Sequence, residues 1–192
     1  MIGKKIDGIE VSNAVKNILK NAVEKLKSEN ITPCLATILV GDNPASATYV
    51  KNKHKACEVV GIKTKDYKLS AETTQEQLND VIDKLNRDKE VHGILVQLPL
   101  PNQLDEFATV SSIFPIKDVD GLTPQNMGLL SMGKSILKPC TPSGIMEMFY
   151  YYKIGIEGKS VVIINRSNLI GKPLYNLLLQ NNATVITCHS KT

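Results

Sequence analysis

No apolar run in this sequence approaches the roughly 20 residues that a membrane-spanning helix needs. The longest, such as ATILV and SVVII, have the length of strands. The opening MIGKKIDGIEVSNAV carries charges of both signs and no apolar stretch followed by small residues, so neither a secretory signal nor an Arg-rich transit peptide is visible. The expectation is a cytoplasmic protein with no membrane partner. Cys34, Cys57, Cys140 and Cys188 show no paired spacing, which argues against a disulfide framework and a zinc site and for buried free thiols. His54, His92 and His189 are equally scattered, and no metal site is expected from them. Acidic residues are absent from 158–192, which hold Lys159, Arg166, Lys172 and Lys191, so the whole net charge of +4 sits there. A nucleic-acid reading needs a basic stripe with stacking aromatics or a recognised motif. Neither is present, and a small phosphorylated ligand fits better. There is no internal repeat or low-complexity segment.

What is present is an alternation of strand-like and helix-like segments. With 42% apolar and 22% charged residues, the chain has the balance of a globular protein. Val11, Val15, Ile18, Leu19, Val23 and Leu26 are spaced as one face of a helix over 9–29. CLATILV reads as a parallel strand covered on both faces. The pattern then predicts a helix over 45–60 closing at Gly61, a strand in IKTKDYKL and a helix over 74–89 with Leu78, Val81, Ile82 and Leu85 inward. GILVQL reads as a further buried strand, followed by a weaker helix over 103–113. Between 114 and 142 Pro and Gly punctuation marks a domain junction. Thr141 is expected to cap a helix with Pro142 at its first position and Ile145, Met148 and Phe149 inward. SVVII, a helix over 174–180 and TVITC then form a βαβ unit. The fold class is α/β with two domains. Residues 1–138 would be a parallel-sheet catalytic domain with right-handed crossovers, and 139–192 the start of a Rossmann-like domain.

Polar side chains set into apolar or turn-forming segments mark the candidate site, because burying them unpaired costs roughly 1–3 kcal/mol each. Tyr49 and Lys53 lie one turn apart on a predicted helix and face the same way. Taken singly, Lys53 reads as a solvated charge, as Lys51 and Lys55 do. Gln97 interrupts an apolar strand just before Leu98 and Pro99, at the carboxyl end where open α/β sheets bind ligands. The bland alternative is a Gln bonding neighbouring backbone. Pro99 and Pro101 would stiffen the LPLP turn, with a cis bond that sequence cannot reveal. In IKDVDG, one of Asp118 and Asp120 would serve the turn and the other, Asp120, the ligand. Both could instead be loop caps. The four residues Tyr49, Lys53, Gln97 and Asp120 are expected to share one pocket.

With PASATYVKNK upstream and PCTPSGI downstream, these motifs resemble the bifunctional methylenetetrahydrofolate dehydrogenase/methenyltetrahydrofolate cyclohydrolase family, from the first helix to the last residue. The resemblance implies that Lys53 is the catalytic acid/base, that Gln97 hydrogen-bonds it, that Tyr49 packs on the folate aromatic system and that Asp120 anchors the pterin, with Leu98 and Pro99 also lining the substrate. It implies NADP-dependent oxidation of 5,10-methylenetetrahydrofolate and hydrolysis of the methenyl product to 10-formyltetrahydrofolate. Desolvation disfavours a charged lysine and a neutral Gln adds no opposing charge, so such a pocket suits proton transfer near neutral pH.

For the cofactor, NRSNLIGKP lies between a strand and a helix, where backbone N–H groups can meet a pyrophosphate. Asn165 stands where the family has Gly, although Asn visits left-handed backbone more readily than most residues, and Gly171 is kept. No acidic residue follows the second strand to favour NAD. Arg166, Ser167 and Ser190 match the family's NADP-binding residues, so NADP is preferred. The resemblance also implies a homodimer, and a family domain that continues past the position of Thr192. That continuation keeps open a rival reading, a truncated folate-binding module without dehydrogenase activity. The Tyr-x-x-x-Lys spacing also occurs in short-chain dehydrogenases, but there the glycine turn comes first, whereas here the nucleotide-like turn follows the pair.

Overall fold

The computed structural model describes residue 3 and residues 5–192, which form two compact units. One is Asn13–Val119, and the other comprises Asp120–Thr192 with the residues up to Ser12. Helix α1 (Gly8–Ser28) is therefore divided between them.

The Asn13–Val119 unit is built on a three-stranded parallel sheet of β1 (Cys34–Val40), β2 (Lys63–Leu69) and β3 (Gly93–Val96), in the order β2-β1-β3. The middle strand, β1, is the apolar run CLATILV, and it is buried along nearly its whole length. Helices α2 (Pro44–Val60) and α3 (Gln75–Arg87) make the crossovers. Asn43 caps α2 by accepting from the Ser46 N–H, and Pro44 opens the helix, where its missing N–H costs nothing. Thr74 and Gln77 form a reciprocal capping box on α3. The inward face of α3, with Leu78, Ile82 and Leu85, meets Ala36, Ile38, Val40, Ile94 and Val96 in one core. At the other end of α3 the Lys117 ammonium donates to the carbonyls of Leu85 (2.9 Å) and Asp88 (2.7 Å), satisfying groups the helix leaves open. Burial pushes the Lys117 pKa down. Beside it, Asp88 accepts from Lys65 Nζ at 2.8 Å and from the Glu90 N–H at 2.8 Å.

The helix expected over 9–29 is α1, on which Ile18 and Leu19 are 69% and 41% exposed: periodicity identifies an apolar stripe but not how much of it the fold covers. Two expectations for this unit need correction. The helix expected over 103–113 is the shorter α4 (Glu106–Ser111), begun by the Asp105 cap. Gln97 falls just past the end of β3 rather than inside it.

In the other unit, α5 (Pro124–Ser131) lies where only loop was expected, with Thr123 accepting from the Asn126 N–H at its start. Pro and Gly dominate the reading of that segment, yet Pro124 occupies a helix-opening position where proline is at home. Helix α6 (Cys140–Tyr151) starts one residue before the expected Thr141 cap, and Pro139 precedes it without a side-chain cap bond. The residue it buries most deeply among its apolar side chains is Met146, at 3% exposure, with Ile145 and Phe149 partly buried. Strands β4 (Ser160–Ile164) and β5 (Thr184–Cys188) pair in parallel across α7 (Gly171–Gln180). Leu174, Leu177 and Leu178 of α7 pack with Leu130, Met146 and Ile163. Of the four cysteines expected to be buried, Cys34 is buried, Cys57 and Cys188 are partly so and Cys140 is exposed; none is in a disulfide.

Gly171 lies against the chain leaving β4: a Cβ there would overlap the Asn165 carbonyl and sit 2.8 Å from the Arg166 nitrogen. Backbone cannot retreat as a side chain tip can, so Gly171→Ala is expected to cost about 1–3 kcal/mol, read as a lower urea midpoint.

The Lys65 and Glu90 contacts hold the Asp88 carboxyl below its ordinary 3.8. A depressed folded pKa contributes stability that is present above the unfolded value and lost as pH falls through the folded one. Asp88→Asn should therefore lower the urea midpoint at pH 7, and its deficit against the parent should close as the pH is taken below 3.8.

Candidate functional site

Lys53 and Gln97, 44 residues apart in sequence, are brought together by the βαβ crossover. Lys53 projects from α2 and Gln97 follows the carboxyl end of β3; Nζ donates to Gln97 Oε1 at 3.3 Å. Gln97 is fixed from two other directions. Its backbone N–H donates to the Ile38 carbonyl at 2.9 Å, and its Nε2 donates to the Leu98 carbonyl at 2.7 Å. The last bond is the bland role, and the side chain fills it while still offering Oε1 to Lys53. Both residues are partly buried. The Leu98–Pro99 peptide is cis, Leu98 packs against the core and Pro99 is exposed. The Leu100 N–H is held by Glu106 Oε1 at 3.0 Å.

Tyr49 lies one turn before Lys53 on α2 with 62% of its surface exposed, so its ring is open to a stacking partner. Asp120 is counted with the other compact unit, where its Oδ1 accepts from Cys140 Sγ at 3.6 Å. Gly121 beside it has φ +64, and a Cβ there would lie 2.9 Å from the Lys138 carbonyl carbon, so the turn following the carboxylate requires glycine. Asp118 is 1% exposed and its residue bridges Ile94 beyond the edge of β3. Of the four residues expected to share one pocket, Lys53 and Gln97 touch, Tyr49 shares their unit on the helix of Lys53, and Asp120 is counted with the other unit.

Sequence reasoning missed His54, whose Nε2 lies 2.8 Å from Asp66 Oδ1 and 2.9 Å from Thr37 Oγ1. A lone His on a helix carries no signal until the strand partners are known. Burial pushes the Cys34 and Cys57 thiols up, so neither is a ready nucleophile. Among the described residues no group of three or more His, Cys, Asp or Glu could hold a metal ion. A cavity of about 360 Å³ opens at the amino ends of β1 and β2, beside Lys63, Lys65 and His92; Gln97 stands at the opposite, carboxyl end of the sheet.

The candidate cofactor turn joins β4 to α7. Asn165 does not adopt the left-handed backbone its family position suggested, since among the described residues only Asn30, Lys153 and Asn182 do so without being glycine. Instead Oδ1 accepts from the Ser167 N–H at 2.8 Å, and the side chain closes the turn that glycine would close by φ. Ser167 Oγ in turn accepts from the Ile170 N–H at 3.0 Å. The start of α7 has no side-chain cap; the Lys172 N–H donates to the Ser167 carbonyl at 3.0 Å and Pro173 carries no N–H, so the first turn offers an anion the Gly171 N–H and the helix dipole, and the Gly171 contact brings the helix end against the strand exit. The turn therefore fits a dinucleotide pyrophosphate. Arg166, Ser167 and Ser190 are exposed. Lys172, also missed, donates to Asn168 Oδ1 at 2.7 Å, and with Gly171, Tyr175, Asn176 and Thr187 it lines an open concavity of about 370 Å³.

Comparison with known proteins agrees with both halves. Residues 6–120 match the tetrahydrofolate dehydrogenase/cyclohydrolase catalytic domain and residues 139–192 the NAD(P)-binding domain of the same proteins. The chain is 69% identical over 192 residues to the bifunctional protein FolD of Nitrosopumilus maritimus, covering all of this chain and 67% of that protein. It is 59% identical to that of Cenarchaeum symbiosum over 97% of this chain and 66% of the relative. Among solved structures, the FolD methylenetetrahydrofolate dehydrogenase/cyclohydrolase of Campylobacter jejuni superposes with a TM-score of 0.96 at 49% identity, over 97% of this chain and 67% of that one. The Trypanosoma brucei enzyme complexed with NADP and inhibitor gives 0.93 at 37% identity, over 97% and 64%. The chain thus spans about two thirds of the length of these relatives. The carboxyl-end lysine and glutamine, the NAD(P)-type turn and these matches lead to one conclusion: the chain belongs to the tetrahydrofolate dehydrogenase/cyclohydrolase family.

Proposed function

We propose that this chain carries out the bifunctional chemistry of its family, NADP-dependent oxidation of 5,10-methylenetetrahydrofolate and hydrolysis of the resulting 5,10-methenyl cation to 10-formyltetrahydrofolate. The observation that carries the reading is the Lys53 Nζ to Gln97 Oε1 contact at the carboxyl end of the parallel sheet. An amine is thereby oriented by a group that brings no charge of its own.

Bound NADP supplies a hydride acceptor. In the hydrolytic step water adds to the bridging carbon, and one carbon–nitrogen bond breaks to leave the formyl group on N10. Lys53 takes one proton from the attacking water and returns it to the departing N5, the second water proton leaving to solvent as the formyl C=O forms, while Gln97 limits the directions the amine can take. Tyr49 stacks on the folate ring system, Leu98 and Pro99 line it, and Asp120 accepts hydrogen bonds from the amino-pyrimidine edge of the pterin, a fixed paired geometry. In this reading residues 1–138 serve folate and residues 139–192 NADP, a division supported by the separate matches at 6–120 and 139–192, although the compact units part at Val119 and Asp120. Asn165, Ser167 and Gly171 shape the pyrophosphate turn, and Arg166 and Ser190 meet the ribose phosphate. A homodimer and a cytoplasmic location belong to the same proposal. No helix among the described residues is long and apolar enough to cross a membrane.

Lys53→Met should lower methenyl hydrolysis by about 10²-fold or more, followed by loss of methenyl absorbance, with an unchanged circular dichroism spectrum. A folded Lys53→Met protein of full activity would overturn the assignment. In calorimetric titration NADP should bind more tightly than NAD, and Arg166→Ala should erase about tenfold of that preference, as expected for one charge-assisted contact. Folate binding without any NADP binding would instead support the binding-module reading.

A further inference from the structure

Helix α2 carries Lys53 yet has little with which to hold its own orientation. Over its 17 residues the buried positions are Ser46, Val50 and Val60, and so narrow a stripe leaves the roll of a helix about its axis weakly determined. A polar knot stands where apolar packing is thin. Thr37 of β1 and Asp66 of β2 are register partners in the parallel pair. The Thr37 hydroxyl, on a residue only 1% exposed, donates to Asp66 Oδ1 at 2.6 Å. His54 brings Nε2 to 2.9 Å from Thr37 Oγ1 and 2.8 Å from Asp66 Oδ1. The protons follow from the acceptors. Once Thr37 has given its hydrogen to the carboxylate, both oxygens facing His54 can only accept, so Nε2 carries a proton shared between them.

The sheet order β2-β1-β3 gives this knot its direction. His54 is tied toward β2, and its neighbour Lys53, about 100° further round the helix, is bonded to Gln97 at the end of β3. The two side chains hold α2 on either side of the central strand. We propose that His54 is a positioning residue for the proton-transfer site: its Nε2–H, gripped by Thr37 and Asp66, sets the roll of α2 so that Lys53 meets Gln97. The inference rests on the reading of Lys53 as the acid/base.

The test uses the full chain with His54→Leu, His54→Gln, Thr37→Val and Thr37→Ser. Gln places an amide N–H near the position of Nε2, and Ser keeps the hydroxyl. His54→Leu and Thr37→Val should lower kcat for methenyl hydrolysis about tenfold or more with KM changed less than about threefold, the mark of misplacement rather than lost binding. His54→Gln and Thr37→Ser should stay within about threefold of the parent in both constants. If all four variants melt earlier but keep the parent's kcat, the knot is merely structural and the proposal is overturned. A second readout needs no activity. After reductive ¹³C-methylation, the Lys53 signal, identified by its loss in Lys53→Arg, should shift in His54→Leu and return in His54→Gln, while those of Lys51 and Lys55 stay in place. An unmoved Lys53 signal overturns the proposal even in an active enzyme. A parent protein that fails to hydrolyse the methenyl substrate would count against the functional reading, and the Lys53 signal would still decide whether His54 positions it.

Discussion

A lysine side-chain nitrogen and a glutamine carbonyl 44 residues away can meet only because the chain between them runs through parallel crossovers. Right-handed βαβ connections bring every strand's carboxyl end to one side of the sheet. β1 occupies the centre, so the residue after β3 and the helix after β1 converge there. The apolar core of Ile38, Leu78, Ile82, Leu85 and Ile94 is what makes this convergence persist. Gln97 is bonded to Ile38 and Leu98 as well as to Lys53, and that frame gives the amine a defined partner. The tether at His54 extends the same logic to the helix side, where hydrophobic burial is sparse.

The cofactor half answers a different constraint, the close approach of two backbones. Gly171 permits the start of α7 to lie on the chain leaving β4, and the uncapped helix end presents its dipole at that point. Asn165 shows how a departure from the family pattern is accommodated. Its side chain takes the Ser167 N–H and closes the turn without a left-handed residue.

Much of this was legible in the residues. CLATILV and GILVQL announced buried parallel strands because strands covered on both faces lose their polar alternation, and β1 and the GILV of β3 are buried. Gly61 marked a helix end by backbone chemistry that is local and therefore readable. The segment containing α5 was misread because Pro124 opens a helix as readily as it breaks one. The apolar spacing of α1 was read correctly as helical, and the exposure of Ile18 and Leu19 was left unread, since periodicity is silent about what lies opposite. His54 gave no sign of its role, because that role depends on Thr37 and Asp66 being register partners.

By itself the sequence determined the α/β alternation, the identity of the polar residues that interrupt it and the positions where the backbone must be glycine or can be capped. These depend on neighbours within a few residues, where propensity and sterics act directly. Tertiary structure alone decided which of those polar groups touch. Lys53 with Gln97, and His54 with Thr37 and Asp66, are pairings between elements. Their distances follow from strand order and helix roll, and those are settled only when the whole core packs at once.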